Sequence, residues 1–178
     1  MADAKAVKAA IKEGGKKGVD LDGVCAMGGV TFFNIAVDTP NGDFELLEKV
    51  MEGANAPVDE AAEERKGGAG AIGKLFASAG EKQLAVMVHV PKALSEKLSL
   101  KEWTETTCTA VKGEIVEIGE EFAKFKADAD ADAGRFPLKM RDEVIAAGLE
   151  LFRKKGLIPL GASDSDDVNY ADAAGVEW

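Results

Sequence analysis

The chain contains few of the residues that carry most metal, redox and nucleophilic chemistry. Its 178 residues include one histidine and two cysteines. A structural zinc site takes a tetrahedral set of nitrogen and sulfur ligands, and Cys25, Cys108 and His89 are one residue too few. Two cysteines without close spacing are typical of buried thiols in a reduced intracellular protein. We therefore expect a reduced intracellular protein without a zinc site.

The chain also lacks long apolar runs. No stretch approaches the run of about 18 apolar residues that a membrane-spanning helix needs. Residues 1–5 have none of the apolar core that is typical of a secretory signal. We therefore expect a soluble protein of the cytoplasm or of an organelle interior, with no transmembrane segment and no targeting segment in this chain.

The charge is acidic overall and unevenly distributed. The formal net charge of −10 would repel nucleic-acid backbones and anionic membranes, so we expect neither as the main partner. Residues 1–18 contain five lysines, whereas residues 160–178 contain five acidic residues and no basic one. This asymmetry predicts a basic N-terminal helix and linker at 1–18, a single domain at 19–159 and an acidic tail at 160–178.

Alternating apolar residues predict the β regions of the fold. They lie at residues 24–37, 83–90 and 114–126. The part at 121–126 also fits a helical period, and we assign it to a strand because it is short and follows a glycine. Residues 83–90 are apolar at both alternating sets of positions, which is typical of a central strand.

Helical periodicity and capping residues predict the helices. The clearest ones begin at Asp43, Ser99 and Pro137 and end at Gly53, Gly113 and Gly156. Shorter helices are predicted at residues 3–13, ending at Gly14 and Gly15, and around residues 72–76. This order of elements predicts an α+β fold, in which a small mixed or antiparallel sheet of three to five strands carries helices mainly on one face.

The apolar positions of these elements are expected to meet in one hydrophobic core, because each strand and helix has to bury a face. The predicted members of that core are aliphatic and aromatic. They are Phe33, Ile35, Leu84, Val86, Val88, Trp103, Ile145, Leu149 and Phe152.

One glycine-rich loop nearly matches two phosphate-binding signatures. Gly68, Gly70 and Gly73 have the spacing of a dinucleotide loop, and Gly68, Gly73 and Lys74 have that of a Walker A loop. Leu75 stands where the Walker A motif has a hydroxyl residue, and a charged, helix-like stretch precedes the loop where both motifs need a strand. We expect Lys74 to be solvated in a short helix after the loop. Gly68, Gly70, Gly73 and Lys74 are candidates for binding a nucleotide or another anion.

Alternating carboxylates form a second candidate site. Asp128, Asp130 and Asp132 resemble the first ligands of a calcium loop. Such a loop needs a glycine and a glutamate further on, where this chain has Ala133 and Lys139. The three aspartates are therefore candidate metal ligands, and the other interpretation is a solvated acidic linker.

A thiol–imidazole pair is a third possibility for chemistry. It would join His89 to either Cys25 or Cys108, because a nucleophilic thiol needs a base within hydrogen-bonding reach. A histidine in the middle of a strand is more often a partly buried structural residue. We expect no cofactor.

The acidic tail has a pattern typical of a docking peptide, in which acidic residues precede aromatic ones. Its candidate partner-binding residues are Asp164, Asp166, Asp167, Tyr170 and Trp178. The other interpretations are a disordered end and a tail that folds back on the basic N-terminal helix.

No motif in the chain completes a catalytic constellation. The sequence therefore favours a non-catalytic subunit or adaptor of a larger assembly, whose partners are other protein subunits. The alternative is an enzyme domain that binds a small ligand or a nucleotide through the glycine-rich loop. The two interpretations differ in whether the amides of that loop face an open pocket.

Overall fold

The computed structural model describes residues 4–28, 31–56 and 67–156, and for residues 22–28 it describes the backbone alone. Within these ranges the chain forms four α-helices, five strands and two short 3-10 turns. In chain order the helices and strands are α1 (Ala4–Gly28), β1 (Phe32–Ala36), α2 (Phe44–Asn55), β2 (Gly73–Ala79), β3 (Gln83–His89), α3 (Leu100–Ala110), β4 (Glu114–Ile118), β5 (Phe122–Asp128) and α4 (Pro137–Lys155).

The five strands form one mixed sheet in the order β1-β2-β3-β5-β4. β1 runs parallel to β2, and the other neighbouring pairs are antiparallel. This arrangement confirms the α+β class. No helix within the described ranges has both the length and the apolar character that a membrane crossing requires.

Helices cover both faces of the sheet. Leu84, Val86 and Val88 of β3 pack in a cluster with residues of α3 and α4. The alternate positions Ala85 and Met87 pack in a second cluster with residues of α2. We expected helices mainly on one face, and the structure adds helices on the second face. The central strands are apolar on both sides, so both faces have to be covered.

The expected single core is likewise divided between the two faces. Phe33 and Ile35 belong to the α2 side, whereas Trp103 and Phe152 belong to the side of α3 and α4. Ile145 is only partly buried. Neighbouring residues of a strand point to opposite faces, so a sheet covered on both sides cannot gather them in one cluster.

The first helix is much longer than predicted. Neither Gly14 nor Gly15 ends it, and α1 continues through the expected linker at residues 14–18 and through residues 24–28, which we assigned to a strand. Gly14 and Gly18 lie where α1 crosses α2. A Cβ atom at Gly14 would collide with the carbonyl oxygen of Val50, and one at Gly18 would lie 2.7 Å from that of Ala54. The glycines therefore allow close helix packing instead of stopping the helix.

The predicted starts of α2, α3 and α4 and the predicted end of α4 are confirmed, whereas α2 continues past Gly53 to Asn55 and α3 ends at Ala110, before Gly113. The Asp43 carboxylate accepts a hydrogen bond from the Glu45 amide at the start of α2, and the Ser99 hydroxyl accepts one from the Glu102 amide at the start of α3. α4 ends at Gly156, whose φ of 70° places it in the left-handed region. These ends depend on local chemistry, which the sequence displays directly.

Candidate functional site

The glycine-rich loop leads into a strand, so the predicted helix around residues 72–76 is wrong. β2 begins at Gly73 and pairs with β1 on one side and β3 on the other. Leu75 and Ala77 pack on one face of the sheet and Phe76 on the other. A strand buried on both faces reads as a short continuous apolar run, which periodicity alone does not distinguish from a buried helix.

Backbone amides of this loop are bound to backbone carbonyls of the protein. The Gly68 amide donates to Ala56 at 2.8 Å, and the Gly73 amide donates to Thr31 at 2.8 Å. The amides of Gly67, Ala69 and Ile72 also donate to backbone carbonyls. A phosphate cradle needs amides that point into an open site. The hydrogen bonds hold the loop against its neighbours instead.

Lys74 is fully buried, so the prediction of a solvated helical lysine is wrong. Its Nζ atom donates to the carbonyl oxygens of Ala69 at 2.7 Å and Ile72 at 2.8 Å. It also lies 2.8 Å from Nδ1 of His89. Burial lowers the pKa of Lys74 from 10.5 to about 7. The side chain that a Walker A loop would turn towards a phosphate is used inside the fold.

His89 extends this buried polar contact towards the surface. Its Nε2 atom lies 3.5 Å from Oε1 of Glu121, and its ring stacks on Phe122 with a centroid distance of 4.3 Å. Burial, and secondly the charge of Lys74, lower the pKa of His89 to about 3. The imidazole is therefore neutral near pH 7, with Nδ1 accepting from Lys74.

The structure does not pair His89 with the Cys108 thiol. Both ring nitrogens of His89 face other groups. Cys108 is a residue of α3 and is packed in the cluster between the sheet and helices α3 and α4. Burial raises the pKa of the Cys108 thiol, which keeps it protonated and poorly nucleophilic. The side chain of Cys25 lies outside the described residues.

Two of the three candidate aspartates have local partners, and Asp132 is exposed within a short 3-10 turn. Asp128 ends β5 and accepts from Lys126 at 3.3 Å. Asp130 caps the short 3-10 turn Ala131–Ala133 through its contact with the Ala133 amide. Within the described ranges, no group of three or more histidine, cysteine, aspartate or glutamate residues is placed to hold a metal ion. The candidate residues of the tail, Asp164, Asp166, Asp167, Tyr170 and Trp178, lie outside the described residues and stay a prediction.

Four of the seven exposed large apolar side chains in the described part of the chain lie along one edge of the sheet. β4 pairs with β5 alone among the described strands, and all its residues are exposed. Val116 is 52% exposed, and the other large apolar side chains here are 38–40% exposed. We call the four side chains the β4 edge surface. They are Ile115, Val116, Ile118 and Phe122.

A β-bulge shapes this edge. Ile115 pairs with Phe125 and Glu117 pairs with Lys124, so Val116 is an extra residue between them. A bulge bends and twists an edge strand, which limits unspecific pairing of that edge with other chains. The sequence predicts this strand correctly, but the edge position depends on the order of strands in the sheet, for which no local signal exists.

Acidic residues surround the β4 edge surface. Glu114, Glu117 and Glu121 are all exposed or half-exposed. Lys124 lies 2.8 Å from Glu48 and 3.6 Å from Glu117. The apolar side chains therefore lie within a predominantly negative rim.

Comparison of the chain with protein-family models and with curated protein sequences finds no match. Among solved structures, it resembles the C-Ala domain of alanyl-tRNA synthetase from Aquifex aeolicus. The two are 16% identical, the likeness covers 67% of this chain and 94% of that one, and the TM-score is 0.39. A likeness of this size identifies neither a family nor a function.

Proposed function

We propose that the protein is a non-catalytic subunit or adaptor of a larger assembly, which binds another protein through the β4 edge surface. The observation that carries the proposal is the exposure of β4 along its whole length, with large apolar side chains along it. Apolar side chains grouped on an exposed edge and bounded by charged residues are typical of a protein-binding surface.

Strand addition is the mode of binding that fits this edge. The outer side of β4 has no neighbouring strand in the described part of the sheet. Its outward amide and carbonyl groups are therefore available to an extended segment of a partner. Main-chain hydrogen bonds would supply affinity, and the side chains of the β4 edge surface would select the partner.

The charge around the edge defines the chemistry of that partner. Glu114, Glu117 and Glu121 favour an extended segment in which apolar residues alternate with lysine or arginine. A second copy of this chain would bring the same carboxylates into one interface, and like charges across paired strands are destabilising. The partner is therefore a different protein with a basic, apolar strand.

The acidic tail is a second docking element in this proposal. Asp164, Asp166 and Asp167 favour the same basic partner, and Tyr170 and Trp178 are of the types that most often anchor interfaces. We do not extend the proposal to a nucleotide at Gly68, Gly70, Gly73 and Lys74, because the amides of Gly68 and Gly73 and the Lys74 ammonium donate to groups of the protein itself.

Capture of partners from an extract of the native source tests the proposal. Wild-type protein, Val116→Asp and the control Leu138→Asp are compared by quantitative mass spectrometry. Leu138 is 62% exposed and lies on α4, outside the β4 edge surface. We expect a partner that wild type and Leu138→Asp retain and that Val116→Asp retains about tenfold less. Identical sets of proteins for all three would overturn the proposal.

A defined peptide pair tests the chemistry of the partner. An extended peptide of alternating valine and lysine is titrated against the protein, with a valine and glutamate peptide as the matched control. We expect amide NMR shifts at residues 114–118 with the lysine peptide alone. Equal shifts with both peptides would contradict the charge argument, and a dimer at micromolar concentration in sedimentation would contradict the choice of a different protein.

A further inference from the structure

An open cleft lies against α1, and none of its lining residues belongs to the glycine-rich loop or to the three candidate aspartates. Its volume is about 610 Å³, which is within the usual range for small-molecule sites. One face of α1, the end of β1 and the second turn of α4 form its walls. Its lining residues are Ala9, Lys12, Glu13, Lys16, Lys17, Asp20, Ala36, Asp38, Thr39 and Arg141.

The spacing of the α1 residues explains why they share this cleft. They recur at intervals of three or four, which places them on one helical face. The lining contains four cations and three carboxylates in a chain whose net charge is −10. An excess of cations in an acidic protein gathers anions locally.

The carboxylates of the cleft offset these cations only in part. Glu13 accepts hydrogen bonds from the amides of Asp38 at 3.2 Å and Thr39 at 3.0 Å, so it ties α1 to the loop after β1. The Asp38 side chain is 94% exposed and lies 3.9 Å from Arg141. An ion pair this long and this exposed is weak, and it leaves the guanidinium accessible to another anion.

Arg141 has a donor that the described residues do not satisfy. Its Nε atom is buried and has no hydrogen-bond partner in the described part of the chain. One terminal nitrogen lies 3.4 Å from the carboxylate of Asp142. Because Nε is buried, the exposed part of this side chain is the end of the guanidinium, whose terminal nitrogens match the oxygens of a phosphate.

We propose that this cleft binds a small organic phosphate. The phosphate group lies between Arg141 and the lysines of α1, where its charge and its several acceptor oxygens match more than one cationic donor. Asp20, at the far end of the α1 face, accepts from hydroxyl groups of the same molecule. Burial raises the pKa of Asp20 above its ordinary value while Lys17 opposes this, so charges in the cleft are partly shielded from water. The site is independent of the β4 edge surface.

Calorimetric titration of the full chain tests the proposal with inorganic phosphate, glucose 6-phosphate and unphosphorylated glucose. The variants are Arg141→Gln and Lys16→Gln, and the matched control is Lys8→Gln, an exposed lysine of α1 outside the cleft. We expect saturable binding of both phosphates and none of glucose. Each cleft variant is expected to weaken binding about tenfold, the loss of one charge-assisted hydrogen bond. The control should change it by less than about twofold.

The comparison of inorganic phosphate with glucose 6-phosphate shows which part of the ligand the cleft recognises. Equal affinities assign recognition to the phosphate group alone, and tighter binding of glucose 6-phosphate adds contacts to the hydroxyl groups. Absence of saturable binding in the millimolar range, or an equal loss with Lys8→Gln, would overturn the proposal. Lys16 is exposed, so its variant keeps the test valid even if Arg141→Gln fails to fold.

Discussion

The ammonium of Lys74 and the imidazole of His89 face one another across neighbouring strands, with 2.8 Å between Nζ and Nδ1. With the carbonyls of Ala69 and Ile72, the ammonium has an acceptor for each of its three protons. The contact fastens the glycine-rich loop to the centre of the sheet. It is therefore a structural element, and its removal has measurable consequences.

Replacing Lys74 with methionine is expected to lower the free energy of unfolding by about 1–3 kcal/mol, because buried acceptors are left without donors. The matched control is Lys82→Met, since Lys82 is exposed and a surface substitution usually changes stability by less than about 0.5 kcal/mol. Urea denaturation at pH 7 measures both. Equal stabilities of the two variants would show that the buried contact contributes nothing.

The same variant also isolates a pH effect. Burial lowers the pKa of Lys74 to about 7 in the folded protein, from 10.5. Between these values the unfolded chain holds a proton that the folded chain has released, so stability from this group rises with pH. We expect the difference in unfolding free energy between wild type and Lys74→Met to increase from pH 7 to pH 10. A difference that is constant or falls would contradict this assignment.

His89 is expected to control stability on the acid side. Its folded pKa is lowered to about 3, by burial and then by Lys74, from 6.5. As the pH falls from 6.5 to 3, His89 becomes protonated in the unfolded chain but stays neutral in the folded chain. The folded state therefore loses stability over this range. His89→Gln should reduce the slope of unfolding free energy against pH within this window, measured by denaturation at a series of pH values. An unchanged slope would mean that His89 titrates normally.

Phe152 is expected to be a major contributor to the core. Its ring lies 5.2 Å from Trp103 and 6.0 Å from Phe32, centroid to centroid. Phe152→Ala should lower the free energy of unfolding by about 3–5 kcal/mol, while Leu138→Ala, at an exposed position of the same helix, should change it by less than about 0.5 kcal/mol. Chemical denaturation measures both. A small loss at Phe152 would show that this face of the sheet is loosely packed.

Gly14 allows α1 to approach α2. Replacing it with alanine should therefore destabilise the protein, although alanine usually stabilises a helix. Alanine normally stabilises a helix by about 1 kcal/mol relative to glycine. Here its Cβ atom would collide with the carbonyl oxygen of Val50. We expect Gly14→Ala to destabilise the protein by about 1–3 kcal/mol, because the helices must move apart. Thermal unfolding followed by circular dichroism measures it, and a stabilised variant would contradict the packing.

Local signals in the sequence are sufficient for much of this fold. Asp43, Ser99 and Gly156 mark helix ends through interactions with their own neighbours, and alternation at residues 83–90 identifies a central strand. Gly14 carries no comparable signal. Its effect depends on α2, which approaches α1 only in the folded protein, so a glycine that would stop an isolated helix is accommodated within a longer one.

The candidate sites were harder to predict for the same reason. Nothing beside Lys74 in sequence indicates that His89, on the next strand, accepts a hydrogen bond from it. The exposure of Val116 follows from β4 lying outside β5 at the edge of the sheet, which is a property of strand order. Arg141 lines the same cleft as the lysines of α1 only because the folded chain brings α1, α4 and the end of β1 together.

The acidic tail is expected to contribute to assembly more than to stability. Deleting residues 160–178 should shift the melting temperature of the isolated protein by less than about 2 °C, since Gly156 already ends α4. The same deletion should weaken association with the partner captured through the β4 edge surface. Surface plasmon resonance measures the association, and the matched control replaces the tail acids with asparagine or glutamine while keeping Tyr170 and Trp178.

The deleted tail and the neutralised tail together distinguish the effect of the tail charges from that of its aromatic side chains. Exposed charges act mainly on encounter, so the neutralised tail should slow association and reduce its dependence on salt while leaving dissociation nearly unchanged. The full deletion should also speed dissociation, because aromatic anchors dominate interface energetics. If deletion instead lowers the melting temperature by several degrees, the tail packs on its own domain. If it changes neither quantity, residues 160–178 take no part in docking, and the β4 edge surface acts alone.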